Sequence, residues 1–107
     1  MTVKNIIDHI DKIKPNTFDF ETKLLWLNEV DGRAYIEIHN KSASSVRALK
    51  NETDKLLIPD MYAPIYVYYI MAMIEYLCGE FDKYHVSSAA YNQIVSDYAK
   101  YIMRGGK

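Results

Sequence analysis

Residues 61–78 of this chain read Met-Tyr-Ala-Pro-Ile-Tyr-Val-Tyr-Tyr-Ile-Met-Ala-Met-Ile-Glu-Tyr-Leu-Cys, an 18-residue stretch in which Glu75 is the only charge. No other feature limits the possible folds so strongly. As a helix it spans about 27 Å. Tyr62, Ile65/Tyr66, Tyr69, Ala72/Met73 and Tyr76 then lie on one side, and Val67, Ile70/Met71, Ile74 and Leu77 on the other. A helix apolar on both sides is either buried or membrane-spanning. Pro64 sits near its start, and its tyrosines are spread along it rather than gathered in two end belts, so burial is the expectation and no membrane is implied. In a chain of 107 residues only two other long helices are available to cover it, which predicts self-association to hide the remainder.

The tyrosines continue past this stretch. Nine of the ten lie at or after Tyr62, and Tyr84, Tyr91 and Tyr98 recur every seven residues. With Ile94/Val95 and Ile102 they form the apolar side of a helix from about 81 to 103. Its other face, Lys83, Ser87, Asn92, Gln93, Ser96, Asp97 and Lys100, is polar. Gly79 is placed to end the preceding helix in the left-handed conformation, so the two make a tight antiparallel hairpin. Gly105, Gly106 and Lys107 read as a frayed tail.

Upstream, Thr2 is a plausible N-cap, and Ile6, Ile7, Ile10 and Ile13 recur at helical spacing, predicting a helix over about 3–14 that Pro15 ends. Thr17 or Asp19 can cap the next, over about 19–39. There Phe20, Leu24, Leu27, Asp31, Ala34 and Ile38 form a heptad-like stripe that Leu25, Trp26 and Val30 widen. Asp31-Gly32 is a hairpin signal, but Leu24-Leu25-Trp26-Leu27 does not alternate, and Glu29 and Arg33 make a favourable i, i+4 pair, so helix is preferred. The linker 40–60 is polar, with a short helix around 45–51 admissible. Leu56-Leu57-Ile58 reads as an extended run laid on the core, and Asp60 can cap the third helix. The fold class is all-α: a single helical domain over 1–107, a small bundle of about four helices ending in a long antiparallel hairpin.

Composition narrows the functions. Thirteen Lys and Arg against fourteen Asp and Glu leave a net charge of -1, which excludes the basic footprint of a free-standing nucleic-acid binder. The lone Cys78 excludes an internal disulfide; at the end of an apolar helix it reads as a core thiol in a reducing compartment. His9, His39 and His85 are not spaced to share a metal with one another or with Cys78, and Asp8, His9 and Asp11 fall on a solvated face. The glycines form no phosphate-cradling loop, and Glu29 and Asp31 do not share a helix face. No enzyme and no cofactor is indicated. The candidate assembly or packing surface is Trp26, Val30, Tyr62, Tyr66, Tyr69, Met73 and Tyr76. Heptad spacing argues that the rings pack inside with hydroxyls at the rim, rather than stacking nucleobases.

Two stretches carry a family likeness. One is Ile10-Asp11-Lys12-Ile13-Lys14-Pro15-Asn16-Thr17-Phe18, followed by Glu21-x-Lys23-Leu24-x-Trp26-Leu27-Asn28-Glu29-Val30-Asp31-Gly32 and Ile36-Glu37-Ile38. The other is Thr53-Asp54-Lys55-Leu56-Leu57-Ile58-Pro59, then Tyr62, Tyr66, Tyr69, Ala72, Ile74-Glu75-Tyr76 and Gly79-Glu80-Phe81-x-x-Tyr84. In this order they resemble the head-tail connector (adaptor, head-completion) proteins of tailed phages and prophages of Gram-positive bacteria. The segment from His39 to Asn51 looks shorter than in that family, and Asp60-Met61-Tyr62-Ala63-Pro64 departs from its pattern. The resemblance implies a mostly helical structural protein that assembles as a ring under the portal, passes DNA without gripping it and offers a surface on which the tail docks. It also implies a location in the virion, or in the bacterial cytoplasm during assembly. A near-neutral chain suits a conduit, because dense Lys and Arg would hold phosphates. Separately, Ala72, Tyr76, Gly79, Phe81, Tyr84 and Tyr91 resemble one tetratricopeptide-like hairpin, which implies a generic helical interaction module instead.

Overall fold

Thr2 and Asn5 open the fold by capping each other. Thr2 Oγ1 accepts the Asn5 backbone N–H at 3.2 Å, and Asn5 Oδ1 accepts that of Thr2 at 3.0 Å. The computed structural model describes residues 1–106. They form α1 (Val3–Ile13), α2 (Phe20–Arg33), α3 (Pro64–Leu77) and α4 (Phe81–Met103), an all-α bundle with short helical turns at Ala34–Ile38, Ala43–Ser45 and Asp60–Tyr62. Lys107 lies outside the described residues.

In α1, Val3, Ile6, Ile7 and Ile10 are buried, while Ile13, at the helix end, is exposed. Asp19, not Thr17, caps α2 by accepting the Thr22 N–H at 2.8 Å. Of the heptad-like stripe, Leu24, Leu27, Asp31 and Ala34 are buried, with Trp26 and Val30 beside them. Leu25 is exposed and does not widen it. Asp31-Gly32 stays helical. Beyond Arg33 the helix widens into a π-helical turn, Ala34–Ile38, in which the His39 N–H bonds the Ala34 carbonyl at 3.0 Å. Asn40, at φ 55°, then takes the left-handed conformation that asparagine tolerates and turns the chain away.

The linker is a strap. No helix forms over 45–51; a 3-10 turn at Ala43–Ser45 is followed by irregular chain. Leu56 and Ile58 are buried and Leu57 between them is not, the alternation of an extended segment on a core. Polar tethers hold it, three sets chief among them. The Asn28 side chain donates to the Leu49 carbonyl at 3.0 Å and accepts the Leu49 N–H at 2.6 Å. The unpaired first N–H groups of α1 donate to the strap, Val3 to the Asp54 carbonyl at 3.0 Å and Lys4 to that of Glu52 at 2.9 Å. The third set, at Asp31, belongs to the buried network described below.

Asp60 does not cap α3. It begins a 3-10 turn, and Pro64 is the first residue of the helix, where its missing N–H costs nothing. Glu75, Tyr76, Cys78, Gly79 and Glu80 close α3: the Glu80 N–H bonds the Glu75 carbonyl at 2.8 Å and the Gly79 N–H that of Tyr76 at 3.2 Å, with Gly79 at φ 76°. The same arrangement ends α4, where Gly105 at φ 87° and Gly106 bond the carbonyls of Ile102 and Tyr101 at 3.0 Å each. These two residues form an ordered cap rather than a frayed tail.

α3 packs against α1 and α2 and, most extensively, against α4. Its Ile65, Tyr66, Ile70, Ala72, Ile74 and Glu75 are buried, and Val67, Tyr68, Tyr69, Met71 and Met73 are half-buried. Only Pro64, Tyr76 and Leu77 of the helix are exposed. The chain itself covers most of both apolar sides of α3, because the strap and α1 add to α2 and α4. The need for sister copies to cover this helix is thereby reduced to its C-terminal end, where Tyr76 and Leu77 stay exposed. No helix is long and apolar enough to cross a membrane among the described residues.

Candidate functional site

Two heptad rows of tyrosine face each other across the α3–α4 seam. Tyr62 meets Tyr98 with ring centroids 5.1 Å apart, Tyr69 meets Tyr91 at 5.2 Å and Tyr76 meets Tyr84 at 5.3 Å, all tilted at 52–57°. An antiparallel hairpin whose turn is Cys78-Gly79-Glu80 brings equal heptad steps on each side into register, so each ring finds a ring. Tilted pairs at this separation suit the aromatic quadrupole. The three rungs differ in environment. Tyr98 is fully buried, its hydroxyl 2.7 Å from His39 Nε2, and burial together with the Asp31 charge pushes it up to about 12. Tyr69 is half-buried and donates to Glu29 Oε1 at 3.1 Å; burial and that carboxylate raise it above an ordinary phenol. The third rung lies at the tip of the hairpin, where Tyr76 is exposed and also meets the edge of Phe81 at 5.8 Å.

Glu29 and Arg33 do not form the anticipated pair. Glu29 takes the Tyr69 hydroxyl, and the Arg33 guanidinium stands 6.0 Å above the Tyr69 ring. Both therefore tie α2 to the middle rung.

The seven candidate surface residues separate. Trp26, Val30 and Tyr66 lie in the core, where they pack α2 against α3 and offer no surface for assembly. Tyr62, Tyr69 and Met73 are half-buried in or beside the seam. Tyr69, Met73, Tyr84, Ser88 and Tyr91 line a groove of about 310 Å³ between α3 and α4. Tyr76 alone of the seven is open to solvent. It belongs to an apolar tip that sequence reasoning did not single out: Tyr76, Leu77 and Phe81 are each 54% exposed and Val86 72%. Cys78 is exposed here too, so it is not a core thiol. The heptad register about Gly79 was the signal available for the ring pairing. None marked the exposure of the tip, since Phe81 and Val86 look like core residues in sequence.

Two buried polar networks brace the hairpin. Tyr66 donates its hydroxyl to Asp31 Oδ1, the Leu57 N–H donates to Asp31 Oδ2 at 3.1 Å, and the Ile58 N–H donates to Tyr66 Oη at 2.8 Å. Burial raises the Asp31 carboxyl despite these two donors, and burial with the Asp31 charge raises Tyr66 well above an ordinary phenol. The residue that interrupts the apolar stripe of α2 thus fastens strap and α3 to it. At the other end Ser87, assigned to the polar face of α4, is buried and donates to buried Glu75 Oε1 at 2.7 Å. Lys14 reaches Glu75 at 3.4 Å and Glu80 at 3.2 Å, locking the end of α1 to the hairpin turn. Lys14 is raised: its two carboxylates outweigh desolvation, the largest single influence.

No group of three or more His, Cys, Asp or Glu stands close enough to hold a metal ion among the described residues. Against known proteins, no family model, no curated protein and no solved structure matches the chain.

Proposed function

We propose that this chain is a structural assembly protein, a head-tail connector of a tailed phage or prophage that joins a ring beneath the portal, leaves a path for DNA and offers a face to the tail. The observation that carries the assembly role is the hairpin tip. Tyr76 and Phe81, in edge contact at 5.8 Å, and Leu77 next to Tyr76 leave apolar surface open at the turn of a helical pair braced from three sides, and such surface marks protein contacts. The connector assignment rests on the sequence resemblance, and the near-neutral net charge of -1 suits passage of DNA without retention. A general interaction module built on the same hairpin would use the same tip on a different partner.

Co-expression with the portal protein of a tailed phage or prophage of Gram-positive bacteria, followed by size-exclusion chromatography and negative-stain imaging, tests the reading. A connector enters a ring-shaped complex with the portal. A chain that elutes apart from the portal, while binding some other protein through the tip, overturns the connector assignment in favour of the module.

A further inference from the structure

A second apolar feature sits far from the tip. Where the π-helical turn widens α2, a pocket of about 180 Å³ opens between that turn, α3 and α4, walled by Val30, Ala34, Ile65 and Val95, with the exposed Arg33 and the half-buried Tyr91 also lining it. A cavity of about 150 Å³ lined by aliphatic side chains admits a benzene ring. The pocket is therefore large enough for one phenylalanine side chain.

We infer that the hairpin tip of one copy seats Phe81 in this pocket of the next copy, an interface that rests on the assembly role proposed above. Charge complementarity selects the occupant. Asp82, beside Phe81, has no ion-pair partner among the described residues, and neither has Arg33, an exposed lining residue of the pocket. With Phe81 seated, the adjoining Asp82 is the carboxylate available to meet Arg33, which lines the pocket. Glu37, also at the pocket, and Lys83, on the tip and paired with Glu80 within its own chain, add a second complementary couple.

A molecule cannot fill its own pocket, since Phe81 and Val95 stand about 21 Å apart along a rigid helix. The knob and the pocket are different surfaces of one chain. Repeated head to tail, such a contact closes into a ring when its rotation allows.

Sedimentation velocity on the purified chain up to hundreds of micromolar, with far-ultraviolet circular dichroism to confirm folding, tests the interface. The wild type is expected to form species larger than a monomer. Phe81→Asp removes the knob and Val95→Phe fills the pocket from the half-buried side of α4; each is expected to return the chain to monomer. Ala34→Leu fills the pocket from α2 and serves if Val95→Phe fails to fold. Asp82→Arg is expected to weaken association roughly fivefold, and combining it with Arg33→Asp to restore it. Assemblies that survive Phe81→Asp and the pocket-filling variants overturn this interface and leave the connector reading intact. A wild type that remains monomeric throughout also overturns it, whereas the connector reading falls only if the chain fails to join the portal.

Discussion

Tyr69 and Tyr91 face each other across the α3–α4 seam with ring centroids 5.2 Å apart, in the middle of three matched pairs. The pairing follows from two heptad rows of one residue type joined by a turn short enough to hold them in antiparallel register. A slip of one residue on either helix would break all three pairs, so the rungs specify register as well as adding stability.

A double-mutant cycle on the middle rung checks this. Tyr69→Ala and Tyr91→Ala should each destabilise the chain, and their effects should fall short of additivity by about 1 kcal/mol, the size of a tilted aromatic pair beyond its buried area. Tyr69→Phe keeps the ring but removes the hydrogen bond to Glu29, and should preserve most of that coupling. Urea unfolding followed by circular dichroism measures it; additive effects of the two alanine variants would show that the rings merely lie near each other.

Asp31 sets a pH dependence. Its carboxyl is raised from 3.8 by burial, against the pull of Tyr66 and the Leu57 N–H. The folded state therefore holds this proton more tightly than the unfolded chain. The Asp31 contribution to stability is full below pH 3.8, declines as pH rises from there through the folded value, and is constant above it. Asp31→Asn should remove that slope, visible by comparing urea midpoints of the two proteins from pH 4 upward. Asp31→Ala leaves the Leu57 N–H without its acceptor and opens a gap beside Tyr66, and should cost about 3 kcal/mol at neutral pH.

His39 slopes the other way. Burial, with the Lys41 charge, lowers it from 6.5, so the folded state holds its proton more weakly. Its contribution is complete above pH 6.5 and is lost as pH falls from 6.5 through the folded value. A proton on Nε2 leaves the Tyr98 hydroxyl only as an acceptor toward it. Nuclear magnetic resonance titration should show the His39 ring protonating below pH 6.5, with the Tyr98 signals moving in step; a His39 midpoint at or above 6.5 contradicts the arrangement.

The four helices were legible in sequence by different signals: α1 and α2 by an apolar period and the caps Thr2 and Asp19, α3 and α4 by their apolar and tyrosine-rich runs either side of the stop at Gly79. Asp31 shows where legibility ends. In the sequence it is a break in a stripe, and its value depends on Tyr66 and Leu57, which arrive from positions far along the chain. The same is true of Ser87, polar by type yet buried against Glu75. The overestimate at α3 has a similar origin. Its apolar sides were weighed against helices alone, whereas Leu49, Leu56 and Ile58 of the irregular strap supply part of the core. An extended segment with no period of its own carries little signal of what it covers.

That strap yields the last prediction. Among the described residues Asn28 is the one side chain that bonds both backbone groups of a strap residue, and it does so at Leu49, whose own side chain is buried. Asn28→Ala forfeits both bonds and should cost about 1–2 kcal/mol, since two neutral hydrogen bonds to a partly buried backbone are lost together. Asn28→Asp keeps the acceptor for the Leu49 N–H but sets a second oxygen against the Leu49 carbonyl, so it should be no better than alanine. Hydrogen exchange at the Leu49 amide reads the local effect: in Asn28→Ala it should speed up by roughly tenfold or more relative to amides of α4, because the strap opens without unfolding the hairpin. If Leu49 and the α4 amides instead accelerate equally, the strap is part of the cooperative core, and the tether at Asn28 adds to global stability rather than holding a separable segment in place.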